Sequence, residues 1–359
     1  MVNKMRSLSP ALLIKASPYI LILPTLLVLW SAPVAGDRGV NTSIQIGVRN
    51  AHAMTYDSGR GRVILFGGAD EAKVCGDTWE WDGRRWTLVS QTGPAPRTFP
   101  SMAYDSVRRK VVLFGGNRVL FGRNPGEVKF LNDTWEWDGR RWTEIKVAGP
   151  SPRAEAAIAF DSRRGRVVLF GGHNRTGQAG GRFGDTWEWD GKSWTEIKVT
   201  GPAPRNSAAL VYDSMRGKTV LFGGSTQKEV SGETWEWGGK EWVENRAALT
   251  QGRFNCVMAY DSARRKVFRF GGRYAGKPFG DTWEYDGNGW KQLTPTGPAA
   301  RNHTAMVYDS QRGKIVLFGG HDFGTHEWVN IFGDTWEWDG AEWVQKEIGK
   351  TRRSIENGH

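Results

Sequence analysis

Between Arg49 and Trp343 the chain writes one sentence six times: Arg, a small-residue stretch, Tyr-Asp, a basic turn, Leu-Phe-Gly-Gly, a loop, Asp-Thr-Trp-Glu-Trp-Asp-Gly and a last Trp. The Tyr/Phe-Asp pairs begin at Tyr56, Tyr104, Phe160, Tyr212, Tyr260 and Tyr308, so the spacings are 48, 56, 52, 48 and 48 residues. By length alone 359 residues could hold two or three domains, but a repeat near 50 residues argues for one large unit. Most of the 47 glycines sit at fixed places in the repeat, so they do not signal disorder. Seventeen of the 19 tryptophans belong to it as well; only Trp30 and Trp328 fall outside, and Tyr285 stands where one Trp is missing.

The third repeat reads strand by strand. In Ala154–Asp161 the larger Ile158 and Phe160 alternate with Ala157 and Ala159, as a period of two requires. Ser162-Arg163-Arg164-Gly165 is a polar turn, and Arg166–Phe170 is a β-branched run stopped by Gly171-Gly172. After a loop, Thr186–Trp189 alternates again, Asp190-Gly191 signals a hairpin, and Trp194–Val199 is a fourth strand. One such sheet cannot bury its Trp-rich faces, whereas six arranged radially can. The expected fold is all-β: a six-bladed propeller with four antiparallel strands per blade.

The double Gly ending the second strand, the aromatic in the third and the Trp opening the fourth resemble the Kelch family. The wording Tyr-Asp-Ser, Leu-Phe-Gly-Gly and Asp-Thr-Trp-Glu-Trp-Asp-Gly is most similar to secreted bacterial Kelch proteins of the galactose-oxidase central-domain type. The resemblance spans roughly residues 49–346 and implies a propeller with a central channel, not an activity. Galactose oxidase needs tyrosine and histidine copper ligands and a Cys-Tyr crosslink; this chain ends about 13 residues after the last repeat, with Cys75 and Cys256 at packing positions. No cofactor and no metal site is expected, since the histidines show no ligand spacing.

Residues 1–36 read as a signal peptide: Lys4, Arg6 and Lys15 precede an apolar run from Tyr19 to Trp30, and small residues at 31–36 suit cleavage. Retention as an anchor is the alternative, weakened by Pro18 and Pro24. Cleavage would leave no transmembrane span, and would lower the net charge from +11 to +8. The protein is therefore expected to be secreted or periplasmic, with residues 37–48 as a linker or added edge strand and 347–359 as a basic tail. Cys75 and Cys256 occupy equivalents of Phe183 and Ala156, so they read as apolar fillers rather than a disulfide.

In a four-stranded blade the first and third connections share one face. Here those turns are short, uniform and basic, including Arg60, Arg108, Arg109, Arg163, Arg164, Arg264 and Arg265. An anion-binding patch is one reading; a solvated surface is the plainer one and is favoured. Nucleic acid is disfavoured in an exported chain with no nucleic-acid module. The opposite face carries loops of 8, 16, 12, 8, 8 and 13 residues, where binding sites usually sit. Asn117–Asn132 includes Phe121; His321–Gly333 includes Phe323, His326 and Trp328. Phe183, Phe279 and Phe332 share one register and read as loop plugs. Arg49, Arg97, Arg153, Arg205, Arg253 and Arg301 keep step with Asp77, Asp133, Asp185, Glu233, Asp281 and Asp334, which favours structural pairs over a ligand-binding ring.

The informative positions are those where the repeat disagrees with itself. Two residues after each arginine come Ala51, Phe99, Glu155, Ser207, Asn255 and His303; after each Gly-Gly come Ala69, Asn117, His173, Ser225, Arg273 and His321. These twelve are expected to line one funnel, with ligand binding by Asn117, Phe121, His173, Asn255, Arg273, His321, Phe323 and Trp328. Glu155 and His303 are candidate catalytic groups. There is no Ser-His-Asp elbow, phosphate loop or zinc motif. The favoured function is thus a module binding a protein or an anionic glycan through its loop-rich face. A sugar-processing enzyme of the mutarotase or epimerase type acting on an acidic sugar, and a structural envelope component, are the alternatives.

Overall fold

The computed structural model describes residues 45–119, 128–174, 181–322, 328–347 and 352–355, all within the second of two units, Ile44–His359. The predicted signal peptide and the loop residues Phe121, Phe323 and His326 lie outside the described residues.

Six four-stranded antiparallel sheets follow one another in sequence. Blade 1 is Ala53–Asp57, Arg62–Phe66, Thr78–Trp81 and Trp86–Ser90. The innermost strands of the other blades are Ser101–Asp105, Ala157–Asp161, Ala209–Asp213, Val257–Asp261 and Ala305–Asp309, and each touches the innermost strands on either side. The chain is an all-β six-bladed propeller. Its core lies between blades, because each sheet buries its aliphatic second strand on both faces. Val63, Leu65 and Trp81 of blade 1 pack with Val316 and Phe318 of blade 6, while Ile64 and Phe66 pack with Val111 and Leu113 of blade 2.

The tryptophans fasten these layers. The last-strand Trp142, Trp194, Trp242, Trp290 and Trp343 each donate Nε1–H to a threonine Oγ1 of the preceding blade at 2.8–3.0 Å. Trp86 donates to Thr335 of blade 6 at 2.9 Å and so closes the ring. The arginine junctions close it too: Gly68 N–H donates to Arg97 O at 2.9 Å, and Gly320 N–H donates to Arg49 O at 2.8 Å. A side chain at Gly68 is impossible there, because φ is +87° and a Cβ would lie 2.5 Å from Asn50 O. Gln45–Arg49 forms no strand, although Ile46 is buried against blades 1 and 6.

Two segments expected as loops contain strands. In blade 2 the second and third strands run on as Lys110–Val119 and Val128–Trp137, with Asn117 opposite Phe130. The β-branched Val119 and Val128 and the aromatic Phe130 suit a ribbon that continues past the Gly-Gly bend. In blade 6, Trp328–Ile331 pairs with Arg352–Ile355, so part of the expected tail is a strand. Among the described residues no helix is long and apolar enough to cross a membrane.

Candidate functional site

The first strand of every blade begins with a kink at the channel mouth. Ala51, Phe99, Glu155, Ser207, Asn255 and His303 all have φ between +51° and +57°. None is glycine, and such backbone costs about 1–3 kcal/mol for most side chains. Hydrogen bonds passing from blade to blade hold it: Ala51 N–H donates to His303 O, Phe99 to Ala51, Glu155 to Phe99, Ser207 to Glu155 and Asn255 to Ser207, at 2.8–3.4 Å. All six residues line a cavity of about 210 Å³ at this end of the channel. A second cavity, of about 320 Å³, opens at the other end, where Tyr56, Tyr104, Phe160, Tyr212, Tyr260 and Tyr308 line it.

The other six predicted positions do not line the mouth cavity. Ala69, Asn117, His173, Ser225, Arg273 and His321 each pair by backbone with the residue that follows a junction arginine, from Asn50 to Asn302. They form a layer behind the first. Asn117 is buried there, and its Oδ1 accepts a short hydrogen bond from Thr98 Oγ1.

Two polar clusters result, on different sides of the mouth. At the junction of blades 3 and 4, Glu155 Oε2 accepts from Asn206 Nδ2 and Ser207 Oγ, both at 2.5 Å, with His173 Nε2 at 3.5 Å. Arg182 donates from Nε to Asn206 Oδ1 at 2.9 Å and also reaches Ser225 Oγ. At the junction of blades 5 and 6, Asn255 Nδ2 meets His303 Nε2 at 2.6 Å, and His303 Nδ1 meets His321 Nε2 at 2.7 Å. With the Asn255 amide donating, His303 carries its proton on Nδ1 and passes it toward His321. Burial, the neighbouring imidazole of His321 and the charge of Arg273 hold the His303 pKa well below the usual range. Burial also lowers His321, to about 4; Asp322 opposes this shift and Arg273 adds to it. Both rings are therefore neutral near pH 7. Phe99 reaches past Ala51 to pack edge-on against His303, with centroids 4.8 Å apart. Glu155 and His303 belong to different clusters, and no hydrogen bond joins them among the described contacts.

The regular features are scaffold, as their recurrence suggests. All six junction arginines pair with their in-step acid, for instance Arg153 Nη1 to Asp185 Oδ1 at 2.6 Å, while Arg153 also donates to Gly171 O. Burial alone would raise the Asp185 carboxyl; the hydrogen bond and charge of Arg153, with Trp187 Nε1–H, lower it instead. Phe183, Phe279 and Phe332 lie 3.8–3.9 Å under the guanidinium carbons of Arg153, Arg253 and Arg301. On the turn face, Arg60, Arg108, Arg164, Arg216, Arg264 and Arg312 each bind the Asp of their own turn. One arginine of each first turn is thereby neutralised. Cys75 and Cys256 are buried free thiols.

Sequence reasoning missed Asn206 and Arg182, which tie Glu155 down, and also Arg269. Arg269 stands where the other repeats have Leu65, Leu113, Leu169, Leu221 and Leu317. It is 1% exposed among Phe222, Trp283 and Trp290, with its guanidinium carbon 4.0–4.9 Å from their ring centroids. The break in the Leu-Phe-Gly-Gly wording was the available signal.

Comparison with known proteins agrees with this geometry. The family model described as the KLHDC2/KLHL20/DRC7 Kelch-repeats domain matches residues 39–224, about half of the chain. The flagellar outer-arm dynein alpha chain of Chlamydomonas reinhardtii is 37% identical over 118 residues, which is 30% of this chain; the chain spans about 2% of that relative's length. The solved structure of YjhT superposes with a TM-score of 0.65 at 13% identity, covering 84% of this chain and 98% of its own. At that identity the likeness carries the fold alone.

Proposed function

Because the chain belongs to the Kelch-repeat family, we propose that it binds a protein partner through the loop-bearing face, centred on the channel mouth. One observation carries this reading. Six non-glycine residues accept left-handed backbone to surround one cavity, and they are the positions where an otherwise strict repeat varies. Rigid blades thus present a variable rim, beside which the blade 2 ribbon carries the exposed Lys129. An anionic glycan is the finer alternative for the ligand, with Arg182 and Arg273 behind the mouth as its cationic groups. The test is capture with a photo-crosslinking residue at position 129, alongside a glycan array. The reading predicts a protein adduct that Phe99→Ser with Asn255→Ala weakens at least about tenfold. An adduct unchanged by those substitutions, or array binding without any adduct, would overturn it.

A second reading is proton transfer on an acidic sugar, favoured by the Asn255–His303–His321 chain at the mouth. It requires anomer exchange of sialic or uronic acids above the buffer rate, with loss in His303→Gln. Rates equal to buffer dismiss it. Export is proposed on the residue 1–36 pattern; N-terminal sequencing of protein recovered from outside the cytoplasm should begin near residue 37.

A further inference from the structure

The mouth cavity has an uneven charge. Among the described residues that line it, Glu155 alone is charged near neutral pH. His52 and His303 line it too, but burial holds both imidazoles well below their ordinary pKa; the charge of Arg49 adds to this at His52, and His321 and Arg273 add to it at His303. Arg182 and Arg273 are not among the lining residues. The rest of the wall is neutral, with Phe99, Ser207 and Asn255 at the rim and Ile158 and Leu210 farther in, where they also line the second cavity. The chain carries a net charge of +11, so a lone carboxylate at the mouth runs against the prevailing sign.

We propose, on the reading that a protein docks at the mouth, that this cavity receives one basic side chain, a lysine or an arginine, of that partner. Glu155 is held ready as an acceptor. Its Oε2 takes Asn206 Nδ2 and Ser207 Oγ, both at 2.5 Å, with His173 Nε2 at 3.5 Å. The left-handed backbone at Glu155 and Ser207, joined by the Ser207 N–H to Glu155 O bond at 3.1 Å, fixes both ends of this contact. A carboxylate offers about four lone-pair sites, and among the described contacts nothing donates to Oε1. An ammonium or guanidinium would supply that donor through a charge-assisted bond. Phe99 is the next residue around the rim, with its carbonyl accepting the Glu155 N–H, and it offers a ring to the same cation. Ile158 and Leu210 would cover the apolar stem that lysine and arginine bury. The cavity, about 210 Å³, is smaller than the roughly 300–1,000 Å³ of sites that enclose a whole small ligand, which suits one side chain carried by a larger body. An anionic group would meet the carboxylate with no cation lining the cavity.

The test has two arms. In the first, Nα-acetyl-lysine amide, Nα-acetyl-arginine amide and the uncharged Nα-acetyl-norleucine amide are titrated into the isotope-labelled full chain, read at the backbone amides of Phe99, Ser207 and Asn255. A basic probe should bind about tenfold or more tightly than norleucine, and Glu155→Gln, which keeps the size and an acceptor oxygen, should erase that preference. The comparison of charged and uncharged probes needs no variant, so it stands even if Glu155→Gln does not fold. In the second arm, the partner crosslinked from position 129 is titrated with the parent and with Glu155→Gln, and its own lysines and arginines near the crosslink are changed to methionine. Affinity should fall about tenfold with Glu155→Gln and with one of the partner's basic residues, and the two changes together should cost little more than either. Norleucine binding as tightly as the basic probes, or partner affinity unchanged by Glu155→Gln while Phe99→Ser with Asn255→Ala weakens it, would sink the proposal and leave docking at the mouth standing. No adduct, with the basic probes still selected through Glu155, would instead remove the docking reading and keep the cation pocket.

Discussion

At the residue scale, the repeat supplies its own controls. Arg269 is a leucine position that holds a buried cation. Burial, helped by the charge of Arg253, pulls its pKa down to about 9, against the raising charges of Cys256 and Asp281. Its Nε and Nη2 find no partner among the described atoms. Replacing such a group by a packed aliphatic is often stabilising, so Arg269→Leu should raise the unfolding free energy by roughly 1–4 kcal/mol, read from denaturant midpoints at constant slope. Arg153 is the opposite case. It is buried, paired with Asp185 and stacked on Phe183, and Arg153→Ala should cost about 3–5 kcal/mol because the carboxylate loses its partner. A change below about 1 kcal/mol would mean that the pair is not a fastening.

At the element scale, the blade 2 ribbon stands apart from the load carried by the blades. Its neighbours are Phe130 against His173 and the Thr98–Asn117 bridge; the inter-blade core begins below it, at Phe114. Replacing residues 118–129 by a short turn should leave the melting temperature within a few degrees of the parent, by calorimetry, while weakening binding of the partner identified by crosslinking, read by titration of that partner with the unlabelled protein. A large loss of stability would make the ribbon a structural brace. The ribbon was only partly legible: its length stood out in the sequence, but pairing of Asn117 with Phe130 depends on the strands continuing past a Gly-Gly bend.

At the scale of the whole molecule, stability should fall on both sides of neutrality. Burial beside Arg49 lowers the His52 pKa to about 3, and His303 and His321 are lowered too. A depressed histidine pKa means that the unfolded chain takes up protons first, so stability declines as pH falls below about 6.5. The lowered carboxyls Asp77, Asp133, Asp185 and Asp281 act in the same direction below about pH 4. On the alkaline side, burial and an Asp of the neighbouring blade raise Tyr56, Tyr104 and Tyr212 to about 12. The unfolded chain then loses protons first, and stability should drop between about pH 10 and 12. Thermal melts across pH 3–12 check both limbs. His52→Thr, which borrows the residue of blade 6 at Thr304, should flatten the acid limb; an unchanged limb would remove His52 from the account.

The sequence by itself determined the propeller, the number of blades and the scaffold role of the junction arginines, the tryptophans and both cysteines. It could do so because each answer repeats six times, and a local pattern suffices to read it. The sequence also located the mouth, since Glu155, Asn255 and His303 break the repeat. Only the tertiary structure decided which of those breaks meet. Glu155 joins Asn206 and Ser207, while His303 joins Asn255 and His321, because contact across a blade junction depends on the left-handed kink and on ring closure.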